Sequence, residues 1–132
     1  ILDTRNILSI NKLIEFGLYD KLKNSPYIIL ADPTDYVEYS FQMKHCDFLI
    51  TDGGSIQEES LVFKKPCVIL RKFTERQEGI GTGINFLTKL DVAESVEIIK
   101  LIESGKIKVG NFKNPYGKAG VSKEIVKRLI KK

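Results

Sequence analysis

The sequence predicts an α/β protein with a parallel, doubly wound sheet covered by helices on both faces, which makes three layers. Short apolar runs of strand type alternate with helical patterns along the chain, and this alternation is typical of parallel sheets. The most continuously apolar run, Cys-Val-Ile-Leu at residues 67–70, suits a strand buried on both faces. The chain contains no internal repeat or low-complexity linker, so we predict one domain over residues 1–132.

Composition is that of an ordinary globular protein. Hydrophobic residues make up 42% and charged residues 29% of the 132 residues, enough for one domain with a hydrophobic core. The net charge of +4 lies mostly near the carboxyl terminus, where a solvated helix face is favoured over a nucleic-acid patch. No apolar run approaches the ~18 residues of a membrane span. We therefore expect neither nucleic acid nor a membrane as a partner.

Cysteine and histidine usage argues against a metal site. Cys46 and Cys67 have no Cys-x-x-Cys spacing, which favours reduced, buried thiols in a cytoplasmic protein. The single histidine, His45, is placed at a predicted helix end, where a structural role is favoured over catalysis because an imidazolium could meet the last carbonyls. We predict no metal and no cofactor.

The first elements are a helix and a connector. Ile7, Ile10 and Ile14 recur at the spacing of one helical face, and Gly17 can end that helix. Residues 18–25 form a connector or a short helix.

A strand at residues 27–31 and a helix at residues 36–45 follow. Asp32-Pro33 ends the strand, because proline cannot donate to a strand ladder and restricts the residue before it. Thr34 or Asp35 can cap the helix.

The most informative stretch is a strand at residues 47–52, a glycine turn and a helix at residues 55–64. Gly53 and Gly54 permit positive φ and close approach of a ligand. Ser55 is a candidate N-cap, and Glu58 completes a Ser-x-x-Glu capping box. A helix that starts at the carboxyl end of a parallel strand favours anionic ligands. From the turn alone, a phosphate site and an ordinary strand-to-helix connection are both possible interpretations.

The remaining elements lie beyond Pro66, which breaks the helix. The charged and then glycine-rich residues 71–83 predict a functional loop after the strand at residues 67–70, and residues 84–88 a short edge strand. Asp91 can cap a helix at residues 93–103. A loop at residues 106–120 and a final amphipathic helix capped by Ser122 complete the chain.

Five spaced blocks carry a resemblance to a known family: Thr51-Asp-Gly-Gly-Ser-Ile-Gln-Glu-Glu59, Lys65-Pro66, Arg71, Thr74-Glu-Arg76 and Asn114-Pro-Tyr-Gly117. Together they resemble the carboxyl half of non-hydrolysing UDP-N-acetylglucosamine (UDP-GlcNAc) 2-epimerases over nearly the whole chain. Family members have two Rossmann-like domains of the GT-B type with the active site between them. The chain resembles the second domain only, so the amino-terminal half would be absent from it.

The resemblance implies a role in UDP binding for a defined set of residues. The turn matches the segment whose amides and serine hydroxyl hold the phosphates, and Glu59 matches the carboxylate that binds both ribose hydroxyls. The family position whose aromatic ring packs against uracil corresponds to Tyr39. Two arginines match cationic residues of the cleft, with surface ion pairing as their alternative. The implied set is Tyr39, Gly53, Gly54, Ser55, Glu59, Arg71 and Arg76.

One departure concerns the turn itself. The family pattern reads Asp-Ser-Gly-Gly, whereas this chain has Asp52-Gly53-Gly54-Ser55. Either Ser55 supplies the hydroxyl from an N-cap position, or amides alone hold the phosphate.

The resemblance implies C2 epimerisation that interconverts UDP-GlcNAc and UDP-ManNAc by elimination and re-addition of UDP, for cell-surface polysaccharide precursors. It also implies a cytoplasmic enzyme that is a homodimer in full-length form. The acid and base residues of the family lie mainly in the half that this chain lacks, so we predict no catalytic residue here and negligible activity of the chain alone. A hydrolysing epimerase, a GT-B glycosyltransferase domain and a non-enzymatic interaction domain are the alternatives.

Overall fold

The computed structural model describes residues 2–3, 7–32 and 34–130. Helices and short strands alternate along most of the chain, and every strand pair is parallel, so the predicted α/β class and parallel pairing are confirmed. The chain divides into two compact units, residues 1–42 and residues 43–132.

The first unit contains a two-stranded parallel sheet and two helices. Its elements are β1 Leu2–Asp3, α1 Ile7–Glu15, α2 Tyr19–Lys23 and β2 Leu30–Ala31. β1 pairs with β2, with Leu2 opposite Leu30, and was not predicted. Gly17 adopts a φ of +64° after α1, which confirms it as the helix stop. Pro33, the predicted strand breaker, lies outside the described residues.

The boundary between the units falls within α3 Tyr36–His45, after Gln42. The Asp35 side chain accepts a hydrogen bond from the Glu38 amide at 2.9 Å. Asp35 therefore caps this helix, one of the two caps that the sequence offered. His45 is the last helical residue, as predicted.

The second unit is built on a three-stranded sheet in the order β3-β4-β5. Thr51 lies opposite Ile69, and Ile69 lies opposite Leu87, so the carboxyl ends of all three strands meet at one edge of the sheet. β4 is completely buried, as its apolar sequence predicted, and β5 is an edge strand. The elements of this unit are β3 Leu49–Thr51, α4 Gly54–Phe63, β4 Cys67–Ile69, α5 Gln77–Ile80, β5 Asn85–Leu87, α6 Val92–Glu103 and α7 Val121–Ile130.

The predicted elements of this unit agree with the structure to within two residues at their ends, and two further differences concern a loop and a helix cap. The segment at residues 71–83 is not loop throughout, because it contains the single-turn helix α5. α7 begins at Val121, so Ser122 lies inside the helix and is not its cap. The cap of α6 is as predicted: the Asp91 carboxylate accepts a hydrogen bond from the Glu94 amide at 2.9 Å. None of the described helices combines the length and apolarity that a bilayer span requires.

Candidate functional site

The turn between β3 and α4 differs in detail from the sequence prediction. α4 begins at Gly54 with Gly53 as its N-cap, and no side chain caps it. Ser55 is therefore a residue of the first helical turn, and the predicted Ser-x-x-Glu capping box is wrong. The physical reason lies in tertiary contacts, because Glu58 forms an ion pair with Arg76. The Thr51 hydroxyl orients the turn instead, accepting a hydrogen bond from the Gly53 amide at 2.9 Å.

The two glycines of the turn leave space for neighbouring side chains. Gly53 has a φ of −80°, and Gly54 is not among the residues with positive φ, so a left-handed conformation does not explain either of them. A Cβ on Gly53 would lie 3.3 Å from the Thr51 hydroxyl, and one on Gly54 would lie 3.1 Å from Glu75 Oε1. The glycines therefore let side chains approach the amino terminus of α4 closely.

A buried glutamine fixes the turn from behind. The Gln57 side chain is fully buried, and its Nε2 donates to the Gly53 carbonyl at 2.9 Å. Its Oε1 accepts from the Thr74 hydroxyl at 2.7 Å, and Thr74 in turn accepts from the Arg76 amide at 3.1 Å. This chain of bonds connects the turn after β3 to the loop after β4.

A second set of bonds connects β5 to α4. Asn85 is buried, and its Nδ2 donates to the Gln57 backbone carbonyl at 2.9 Å. Its Oδ1 lies 3.0 Å from the buried Ser60 hydroxyl. Buried polar groups of this kind are costly unless every member has a partner, and here they join elements that are distant in sequence.

Alternating charges border the turn. Arg76 pairs with Glu58 and lies 3.8 Å from Glu75, while Arg71 Nη1 contacts the other oxygen of Glu75 at 2.8 Å. A hydrogen bond from its own backbone amide, together with the charges of Arg71 and Arg76, lowers the pKa of Glu75. Both arginines therefore have carboxylate partners, as the ion-pair alternative predicted, and both lie beside the amino terminus of α4.

All of the predicted UDP-binding residues except Tyr39 belong to the second unit. Ser55 is exposed and Glu59 is half-buried. Since they are four residues apart on α4, they share one helix face. Tyr39 is half-buried on the part of α3 that belongs to the first unit.

The sequence interpretation missed the side chains that support this region, namely Gln57, Thr74, Asn85 and Tyr116. The Tyr116 hydroxyl accepts a hydrogen bond from the Gly79 amide and donates one to the Arg76 carbonyl, both at 3.1 Å. Three of these side chains lie inside blocks that carried the resemblance, which is the only signal the sequence offered.

The cysteines are thiols. Cys46 and Cys67 are both free. Burial raises the pKa of Cys67 to about 12 and also raises the pKa of Cys46. Within residues 2–3, 7–32 and 34–130, no cluster of three or more histidine, cysteine or carboxylate side chains is placed to hold a metal ion.

A family model and a curated relative both match nearly the whole of this chain. A family model described as UDP-N-acetylglucosamine 2-epimerase matches residues 4–130. A UDP-N-acetylglucosamine 2-epimerase from Methanocaldococcus jannaschii is 38% identical over 119 residues, which are 89% of this chain and 31% of that protein.

Solved structures of the same family have a similar fold. The M. jannaschii UDP-GlcNAc 2-epimerase in complex with UDP-GlcNAc and UDP has a TM-score of 0.80 and 35% identity, covering 94% of this chain and 33% of that one. The Neisseria meningitidis UDP-GlcNAc 2-epimerase bound to UDP-GlcNAc has a TM-score of 0.77 and 28% identity, covering 98% of this chain and 36% of that one.

This chain thus spans about a third of the length of the relatives it matches. These matches do not favour the glycosyltransferase, hydrolysing or interaction-domain alternatives. Since the family model covers nearly all of the sequence, and the fold is that of the GT-B-type structures it resembles, the chain belongs to the UDP-N-acetylglucosamine 2-epimerase family.

Proposed function

We propose that the turn between β3 and α4 binds the diphosphate of UDP. The observation that carries this proposal is the meeting of three features at one sheet edge: the amino terminus of α4 at Gly54, exposed Ser55, and the arginines Arg71 and Arg76. Unpaired helix amides and cationic side chains both favour a phosphate. Two of the solved structures similar to this chain contain UDP-GlcNAc, one of them with UDP as well.

The serine hydroxyl has a position compatible with this role although it is not a cap. Because Ser55 is exposed in the first turn of α4, its hydroxyl and its amide are both on the helix end that would face the phosphate. Arg71 and Arg76 would exchange part of their contact with Glu75 and Glu58 for the diphosphate. Two oxygens of one phosphate can accept a bidentate pair of hydrogen bonds from a guanidinium group.

Glu59 would bind the ribose, and Tyr39 would pack against uracil. Glu59 lies one turn after Ser55 on the same face of α4, so a ribose bound next to the phosphates could reach its carboxylate. A carboxylate has two oxygens and can accept a hydrogen bond from each hydroxyl of a vicinal diol. The role of Tyr39 rests on the resemblance to the family.

The full-length protein would interconvert UDP-GlcNAc and UDP-ManNAc. In the family reaction, UDP leaves C1 as the proton on C2 is removed. UDP then adds back to C1 of the resulting 2-acetamidoglucal with its original configuration, while a proton is returned to C2 from the opposite face, so that only C2 is inverted. The residues described here would bind UDP and stabilise its charge as it departs. We also propose that this activity serves cell-surface polysaccharide precursors in the cytoplasm, and that the full-length protein is a homodimer.

Activity of the 132-residue chain alone should be negligible. It spans about a third of its relatives' length, and a cleft between two domains cannot close around one of them. Incubation with UDP-GlcNAc and detection of UDP-ManNAc by chromatography test this expectation. Robust turnover by the chain would contradict it.

Replacement of Glu59 tests the nucleotide site itself. Glu59→Ala should weaken UDP binding by roughly 1–3 kcal/mol if its ribose bonds form. The matched control is Glu97→Ala, which removes an exposed carboxylate from α6 and should leave the affinity unchanged. Replacing UDP by 2′-deoxy-UDP should weaken binding to the wild-type chain but less so to Glu59→Ala, because the bond is already lost. Equal affinity of the wild-type chain and Glu59→Ala for UDP would remove Glu59 from the site.

A further inference from the structure

Side-chain hydroxyls bind both the backbone amide and the backbone carbonyl of Arg76. Its amide donates to the Thr74 hydroxyl, and its carbonyl accepts from the Tyr116 hydroxyl, each at 3.1 Å. We infer that Tyr116 and Thr74 are positioning residues that aim the Arg76 guanidinium at the diphosphate. This inference rests on the proposed role of Arg76 in binding UDP, and it assigns a purpose to the Asn114-Pro-Tyr-Gly117 block.

The block is a turn that presents the tyrosine. The Asn114 side chain accepts from the Tyr116 amide at 2.9 Å, and the Gly117 amide donates to the Asn114 carbonyl at 3.3 Å. Gly117 has a φ of +101°, a conformation that favours glycine. The turn thus fixes the direction in which Tyr116 leaves the backbone.

The hydroxyl of Tyr116 reaches a segment far away in sequence. It accepts from the Gly79 amide in α5 while it donates to Arg76. A Cβ on Gly79 would lie 3.1 Å from this hydroxyl and 3.0 Å from Asn85 Nδ2, so glycine permits this close approach without displacing either side chain. One hydroxyl therefore ties the residues 106–120 loop to the start of α5, where Arg76 is located.

The second support comes through Gln57. Thr74 is buried, and its hydroxyl donates to the fully buried Gln57 side chain at 2.7 Å. Gln57 also holds the Gly53 carbonyl of the turn. Arg76 and the turn consequently share one chain of hydrogen bonds, which fixes the backbone from which the guanidinium extends relative to the amides of α4. Preorganisation of this kind lowers the entropic cost of binding.

The Tyr116 hydroxyl stays protonated at ordinary pH. Burial raises the pKa of Tyr116, and the carboxylates of Glu78 and Glu58 raise it further against the opposing effect of the Gly79 bond. It can therefore donate to the Arg76 carbonyl at neutral pH.

Two hydroxyl deletions test the inference in the 132-residue chain. Tyr116→Phe and Thr74→Val each remove one hydroxyl with little change of shape. The control is Thr88→Val, because Thr88 is equally buried but bonds to Ile69 and Ser95. Amide NMR titrations with UDP and with uridine report the affinities. We expect about three- to tenfold weaker UDP binding for the two test variants and no change for Thr88→Val. Uridine binding should be unchanged in all three, because it has no phosphate.

A double-mutant cycle with Arg76→Ala separates positioning from a general loss of structure. If Tyr116 acts through Arg76, then Tyr116→Phe should not weaken UDP binding further in the Arg76→Ala background. Equal UDP affinity of wild type and Tyr116→Phe, or parallel losses for uridine and UDP, would overturn the inference while the nucleotide site stands. No UDP binding by the wild-type chain would instead overturn the proposed function, and this inference with it.

Discussion

Replacing Gln57 by leucine removes the centre of the buried hydrogen-bond network while keeping the volume of the side chain close to the original. The variant loses the 2.9 Å bond to the Gly53 carbonyl and the 2.7 Å bond from the Thr74 hydroxyl. Each bond contributes about 0.5–1.5 kcal/mol, and an unsatisfied buried hydroxyl costs about 1–3 kcal/mol. Apolar burial of leucine offsets part of this, so we expect the free energy of unfolding to fall by about 2–4 kcal/mol.

Urea denaturation followed by circular dichroism measures this loss, with the slope of the transition as a check that the same surface unfolds. The control Gln42→Leu changes a partly exposed glutamine on α3 and should stay within about 0.5 kcal/mol of wild type. The double variant Gln57→Leu with Thr74→Val should cost less than the sum of the single losses, because it removes both partners of one bond. A loss below about 0.5 kcal/mol for Gln57→Leu, or strictly additive losses, would show that the network does not stabilise the fold as described.

Three further outcomes are expected. Gly79→Ala should destabilise the chain by about 1–3 kcal/mol because its Cβ would crowd Asn85 and Tyr116. The control Gly110→Ala, with nothing within 4 Å of the added Cβ, should be close to neutral in the same urea assay. Iodoacetamide should alkylate Cys46 before the fully buried Cys67 in the native chain, and mass spectrometry of the two peptides would contradict this if Cys67 reacted first. The pKa of Cys67 is raised from 9.0 to about 12, so its neutral thiol adds to the free energy of unfolding below about pH 9, and this contribution is lost as the pH rises toward 12. The free energies of unfolding of wild type and Cys67→Ala, measured from pH 8 to pH 11, should therefore converge.

The order of helices and strands was largely predictable from local patterns. The apolar run at residues 67–70 and the helical spacing of Ile7, Ile10 and Ile14 depend only on near neighbours in sequence. β1 was missed because Leu2–Asp3 is strand only through its pairing with Leu30–Ala31. Strands of two residues carry too little pattern to be recognised on their own.

The start of α4 shows how a tertiary contact can override a local rule. Ser55 and Glu58 match a capping box in sequence, but Glu58 is committed to Arg76, eighteen positions later in the sequence. The helix consequently begins at Gly54, and the glycines serve close approach of Glu75 and Thr51.

The supporting side chains of the site could not be derived from composition or periodicity. Gln57 and Asn85 are polar residues that periodicity assigns to a surface, yet both are buried because partners elsewhere in the chain satisfy them. Tyr116 reaches Arg76 across 40 residues. The co-occurrence of several spaced blocks pointed to Gln57 and Tyr116 without indicating what they contact, and Asn85 lies outside those blocks.

The most direct test of the UDP site is an amide NMR titration of the ¹⁵N-labelled 132-residue chain with UDP. Binding with a Kd on the order of 1 mM is measurable in this way. We predict saturable shifts of the amides of Gly54, Ser55 and Ile56 at the amino terminus of α4, together with the backbone amide of Arg76. The absence of any saturable shift, or shifts confined to the amides of Lys64 and Lys65 at the other end of α4, would contradict the proposal that this turn holds the diphosphate.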